Sequence, residues 1–180
     1  MIKSGLGKII YTEEEIQARI AQVAAIINRD YKGEKLVIIG VLKGALYFVA
    51  DLTRHLDMPI NIDFISIGSA PNELKITGTI RFTKNIGLDL FGQHVLLVED
   101  VIGTGLTLGF ICQHLETFKP ASLKICTLLN NPAERILTLP IDYSCFTMPN
   151  LFLVGYGLDY REEFRNLRYI AEYVPGERGK

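Results

Sequence analysis

His94-Val95-Leu96-Leu97-Val98-Glu99-Asp100-Val101-Ile102-Gly103-Thr104-Gly105-Leu106-Thr107 is an apolar run that stops abruptly at two acids, turns on two glycines and opens a helix. A short run rich in β-branched residues reads as a strand buried on both faces, as parallel strands are. Residues 105–118 that follow are helical in pattern. Strand, glycine loop and helix in that order form the repeating unit of an α/β protein.

The same alternation extends outward from this unit. Lys35-Leu36-Val37-Ile38-Ile39-Gly40-Val41 is a second buried strand, and a turn at Gly44 leads into a helix over residues 45–56. Residues 122–129 and 151–156 read as further apolar strands, and residues 60–67 alternate as a strand. Thr12-Glu13-Glu14-Glu15 matches a capping box, with Thr12 as N-cap and Glu15 at N3. Ile16, Ile20, Val23 and Ile27 then form one apolar stripe of a helix. The pattern predicts an α/β fold: a central, mostly parallel sheet flanked by helices, in a single domain over residues 1–180. The irregular stretch at residues 69–90 is an ordinary hairpin or a mobile flap, and the residues alone favour neither.

Composition narrows the function. The chain has 180 residues, is 48% hydrophobic, and balances 19 Lys and Arg against 20 Asp and Glu for a net charge of −1. That balance argues against a nucleic-acid partner, because a phosphate backbone needs a basic face. No apolar stretch is long enough for a membrane span, and residues 1–5 lack the apolar core of a signal peptide, so a cytoplasmic location is expected. Cys112, Cys126 and Cys145 are odd in number and lie in apolar segments, which predicts buried free thiols. His55, His94 and His114 share no metal-ligand spacing and read as structural.

In open parallel sheets, ligands bind beyond the carboxyl ends of the strands. Glu99, Asp100, Gly103, Thr104, Gly105, Leu106 and Thr107 occupy such an end. The glycines permit a tight turn, Thr104 and Thr107 offer hydroxyls, and the amides opening the helix form an anion site. Two carboxylates beside a phosphate site make sense if they face sugar hydroxyls or a hard cation such as Mg²⁺. A ribose 5-phosphate carries both parts. A Rossmann fingerprint fails at its third glycine, and no Gly-Lys-Ser/Thr sequence closes a P-loop.

With these residues in view, the chain resembles the type I phosphoribosyltransferases, and most closely their hypoxanthine (6-oxopurine) branch. The stretch from Val98 to Thr107 resembles the family's phosphoribosyl-pyrophosphate motif, and Val41-Leu42-Lys43-Gly44-Ala45 its pyrophosphate loop. Val154-Gly155-Tyr156-Gly157-Leu158-Asp159-Tyr160, with Phe164-Arg165-Asn166-Leu167 behind it, is similar to its purine-site signature.

The resemblance implies a purine-salvage transferase that joins hypoxanthine or guanine to phosphoribosyl pyrophosphate with Mg²⁺, as a homodimer or homotetramer. It assigns Glu99 and Asp100 to the ribose hydroxyls and one metal, as catalytic residues. Gly103, Thr104, Gly105, Leu106 and Thr107 would hold the 5-phosphate, and Lys43, Gly44 and Arg165 the pyrophosphate. Phe152 would stack on the purine, the Leu153 backbone would read its edge, and Asp159 would help hold a second Mg²⁺. Residues 69–90 take the place of the family's flap.

Departures from the family fall on the base and lid side. Gly103 stands where the family carries an aspartate assigned to the purine N7 proton. Asn131 stands where a lysine reads the 6-oxo group. Ser69-Ala70, followed by Pro71, replaces a Ser-Tyr pair. They predict that sugar-phosphate and metal binding persist while purine chemistry is slowed or redirected, and that Gly103→Asp raises turnover. They also define an alternative, a catalytically weak paralogue that binds nucleotide or phosphoribosyl pyrophosphate as a sensor or partner protein.

Overall fold

A computed structural model describes residues 5–69 and 80–175. In chain order the elements are β1 (Leu6–Tyr11), α1 (Glu13–Asp30), β2 (Leu36–Leu42), α2 (Leu46–Arg54), β3 (Ile60–Ser69), β4 (Ile80–Lys84) and β5 (His94–Ile102). Then follow α3 (Leu106–Glu116), β6 (Ser122–Asn130), a 3₁₀ turn at Pro132–Glu134, β7 (Tyr143–Thr147), β8 (Leu153–Val154) and β9 (Ile170–Tyr173).

The main sheet has six strands in the order β4-β3-β2-β5-β6-β7, parallel except for β4. Strand alternation divides its apolar residues between two layers. Leu36, Ile38, Leu96, Val98, Cys126 and Leu128 pack with Ile16, Ile20 and Ile27 of α1 and with Phe48 and Leu52 of α2. Val37, Ile39, Val95, Leu97 and Ile125 face the other way, onto Leu108, Ile111 and Leu115 of α3. Each fully buried Leu or Ile contributes roughly 1.5–3 kcal/mol, so both layers are needed. The expected capping box closes α1: Glu15 N donates to Thr12 Oγ1 at 3.3 Å, and Thr12 N donates to Glu15 Oε2 at 2.8 Å.

Two strand assignments differ from the sequence expectation. Residues 151–156 are not a fourth long parallel strand: only Leu153 and Val154 are extended, and they pair antiparallel with β9 in a small sheet of order β1-β9-β8. The run is broken by left-handed backbone at Gly155 (φ 100°), Tyr156 (φ 50°) and Gly157 (φ 100°). The edge of the parallel sheet is instead β7, whose alternation is too short to register as a pattern.

Strands β3 and β4 form an antiparallel hairpin at the base of the expected flap. Lys84 Nζ donates to Asp63 Oδ1 and to the Phe64 carbonyl, both at 2.6 Å, and Gly87 N donates to Asp63 Oδ2 at 2.7 Å. The Ala70 and Pro71 departures lie outside the described residues. All three cysteines are buried and unpaired. No helix among the described residues is long and apolar enough to cross a membrane.

Candidate active site

Strands β2, β5 and β6 are neighbours running parallel, so the segments after Leu42, Ile102 and Asn130 leave from the same carboxyl end of the sheet. The backbone turns out of β2 through a cis peptide between Leu42 and Lys43. Gly44 then packs so closely that a Cβ there would run into the Asp100 carboxylate. On its other side, a Cβ on Gly157 would run into the Gly44 carbonyl. Three chain segments distant in sequence therefore meet here, Gly157 against the Gly44 backbone and Gly44 against the Asp100 side chain, and only glycine permits so close an approach.

The acid pair is asymmetric. Glu99 is buried, and burial pushes its carboxyl well above the usual range, with the neighbouring Asp100 carboxylate adding to the effect. Its Oε1 accepts from Asp100 N at 3.1 Å. Asp100 Oδ1 accepts from Val101 N at 2.8 Å, while Oδ2 faces Gly44. Asp100 is thus the carboxylate set against the converging loops, and Glu99 lies behind it.

Beyond the pair, Gly103, Thr104 and Gly105 lead into α3. Gly105, at φ 82°, is its N-cap and makes no side-chain cap hydrogen bond. Gly103 needs no positive φ; its role is space. Thr104, Leu106 and Thr107 are exposed around the first turn, with Leu106 N donating to Thr104 Oγ1 at 3.4 Å. First-turn amides with the positive end of the helix dipole form a cradle suited to a phosphate.

Arg165 Nη2 lies 2.8 Å from Asp159 Oδ1 and 3.3 Å from Glu162 Oε1, and Nη1 donates to the Gly157 carbonyl at 2.8 Å. Arg165 Nε is buried and makes no hydrogen bond among the described residues. Glu162 also meets Lys43, with Lys43 Nζ to Glu162 Oε2 at 2.8 Å. Lys43, Gly44, Asp100, Asp159 and Arg165 are therefore gathered as expected. Glu162 and Gly157 join them without having been singled out in the sequence. The i, i+3 spacing of Asp159, Glu162 and Arg165 was the available signal for Glu162.

Asn131 is buried, and its N donates to the Ile102 carbonyl at 3.0 Å, which sets it beside the turn that leads into α3. Phe152 is 55% exposed, edge-on to Tyr160 at 6.0 Å and to Tyr173 at 5.9 Å. An exposed ring held by other aromatics is a stacking surface rather than core. The Leu153 side chain is buried, so only its backbone is available to a ligand. His94 Nδ1 and His114 Nε2 hydrogen-bond Ser122 Oγ and Asn85 Oδ1, each at 2.8 Å.

Among the described residues, no three His, Cys, Asp or Glu side chains surround a common metal position. Asp100 and Asp159 nevertheless suit Mg²⁺, which binds one or two carboxylates and completes its shell with water and substrate oxygens.

Comparison with known proteins agrees with this geometry. Residues 7–161 match the phosphoribosyl transferase domain family. The chain is 39% identical over 171 residues to the hypoxanthine-guanine phosphoribosyltransferase of Streptococcus pneumoniae, covering 95% of each. A hypoxanthine-guanine phosphoribosyltransferase from Bacillus anthracis, solved with HEPES in the active site, superposes with a TM-score of 0.89 at 41% identity, covering 95% of this chain and 99% of that one. A hypoxanthine phosphoribosyl transferase from Trypanosoma cruzi superposes with a TM-score of 0.88 at 39% identity, covering 97% of this chain and 95% of that one.

Proposed function

The chain belongs to the phosphoribosyl transferase domain family, and from that membership we propose that it joins hypoxanthine or guanine to phosphoribosyl pyrophosphate, forming IMP or GMP and pyrophosphate in purine salvage. The observation that carries this reading is the convergence of Asp100, Gly44 and Gly157, which brings together the acid pair before α3, the turn out of β2 and the segment that holds Arg165.

In this reading the α3 amides and the Thr104 and Thr107 hydroxyls hold the 5-phosphate. Glu99 and Asp100 meet the ribose hydroxyls, and the carboxylates stabilise the positive charge that develops on the sugar. Lys43 and Gly44 present backbone groups to the pyrophosphate, and Arg165 offers its Nε to a departing oxygen. Phe152 stacks on the purine, with the Asn131 side chain and the Leu153 backbone at its edge. Asp100 and Asp159, with Glu99 behind, hold Mg²⁺, which when bound neutralises charge on the leaving pyrophosphate. Residues 70–79 of the stretch expected as a flap lie outside the described residues. A single domain over residues 1–180, a homodimer or homotetramer, and a cytoplasmic location complete the proposal.

Spectrophotometric turnover with phosphoribosyl pyrophosphate, Mg²⁺ and each purine tests it. Rates on the order of 1–10³ s⁻¹ with hypoxanthine or guanine are expected. The absence of a carboxylate at Gly103 favours one second reading, the catalytically weak binding paralogue. Binding of phosphoribosyl pyrophosphate by calorimetry without turnover on any purine would select it.

A further inference from the structure

The absence of an acid at Gly103 is answered from another segment. Glu134 Oε2 lies 3.1 Å from the point where a Cβ on Gly103 would stand. A Cβ at position 103 would touch this oxygen, so the Glu134 carboxylate lies in contact with the place where a side chain at 103 would begin. We propose that Glu134 supplies the carboxylate of the base subsite and takes up the purine N7 proton during transfer. This rests on the phosphoribosyltransferase reading above.

The placement of Glu134 is enforced by its own segment, since Glu134 closes the 3₁₀ turn at Pro132–Glu134, directly after Asn131. Arg135 Nη2 donates to Asn130 Oδ1 at 2.5 Å and to the Ile102 carbonyl at 3.3 Å. Ile136 N and Leu137 N both donate to the Thr104 carbonyl at 3.0 Å. The residues on either side of Glu134 are thereby strapped to the backbone on either side of Gly103. The Glu134 side chain is exposed, and its carboxylate lies against Gly103.

Such a group would speed the chemistry. A 6-oxopurine that attacks through N9 carries its imidazole proton on N7. The N9 lone pair forms the bond to C1′ as the C1′–O bond to pyrophosphate breaks, and pyrophosphate leaves with that electron pair. The N7 proton, made acidic by the new bond, passes to the Glu134 carboxylate. Gly103 has no side chain for this, and Asn131 has only an amide.

It follows that Gly103→Asp alone does not raise turnover, contrary to the expectation from the sequence, because it sets a second carboxylate against Glu134. Steady-state kinetics of the full chain, Glu134→Gln and the Gly103→Asp/Glu134→Gln double variant test the assignment, with calorimetry of phosphoribosyl pyrophosphate and Mg²⁺ on each. Glu134→Gln is expected to lose roughly 10²–10⁴ in kcat with both purines, the usual range for a positioned acid or base, and to keep its phosphoribosyl pyrophosphate affinity. The double variant, with the carboxylate moved to position 103, is expected to recover part of that loss. Wild-type kcat in Glu134→Gln overturns the proposal. A parallel loss of phosphoribosyl pyrophosphate affinity also overturns it, since that marks a general disturbance of the loop. An unaltered chain that turns over no 6-oxopurine would instead overturn the transferase reading itself, so the two failures are distinct.

Discussion

The carboxylate of Asp100 occupies the space that a Cβ on Gly44 would need. The turn after β2 and the acid pair are thus fitted to each other through the absence of one methyl group, and Gly157 closes the same corner from behind.

Gly44→Ala forces either the loop or Asp100 to move. Overpacking of this kind costs about 1–3 kcal/mol. The melting temperature is expected to fall by a few degrees, while kcat/KM for phosphoribosyl pyrophosphate falls far more steeply because Asp100 is displaced. Calorimetry with pyrophosphate and thermal unfolding would separate the two effects. Unchanged kinetics would mean that Asp100 relaxes without consequence.

Phe152 is exposed and edge-on to its aromatic neighbours, so truncating it removes little core. Stacking of a base on an aromatic ring contributes about 1–3 kcal/mol. Phe152→Ala is therefore expected to raise KM for hypoxanthine about tenfold or more, with the affinity for phosphoribosyl pyrophosphate and the melting temperature nearly unchanged. A large loss of stability instead would show that the ring is structural.

Arg165 engages Asp159, Glu162 and the Gly157 carbonyl together, as a planar fork permits. Lysine keeps the charge but loses that geometry. Arg165→Lys is expected to cost about 1.5–3 kcal/mol in pyrophosphate binding, the range for hydrogen bonds to charged groups. Product inhibition by pyrophosphate measures it directly, and equal inhibition of both proteins would count against the assignment.

Burial pushes the Cys112 thiol up to about 11 and the Cys145 thiol up to about 12, and it raises Cys126 well above its ordinary value. Thiolate is the reactive form and forms only as pH approaches the raised pKa. A disulfide-exchange reagent at pH 8 is therefore expected to find no fast-reacting thiol in the native protein and all three after unfolding. Activity should persist through the native incubation. Rapid release at pH 8 would show that one of the thiols opens to solvent.

The amino-acid sequence by itself determined the parallel α/β core, because β-branched runs separated by amphipathic helices leave a chain few other ways to bury both faces of a sheet. It also determined the adjacent acid pair, the glycine turn that opens α3 and the Thr12 cap, which are local to consecutive residues. The antiparallel fate of Leu153 and Val154 was decided by the fold. An apolar run reads the same in either sheet, and the left-handed turns at Gly155, Tyr156 and Gly157 cut it short. The ion cluster joining Lys43 to Glu162, and the carboxylate of Glu134 over Gly103, were likewise decided by tertiary structure alone. Each joins residues far apart in the chain through side-chain reach across converging loops, and no spacing along a sequence encodes that distance.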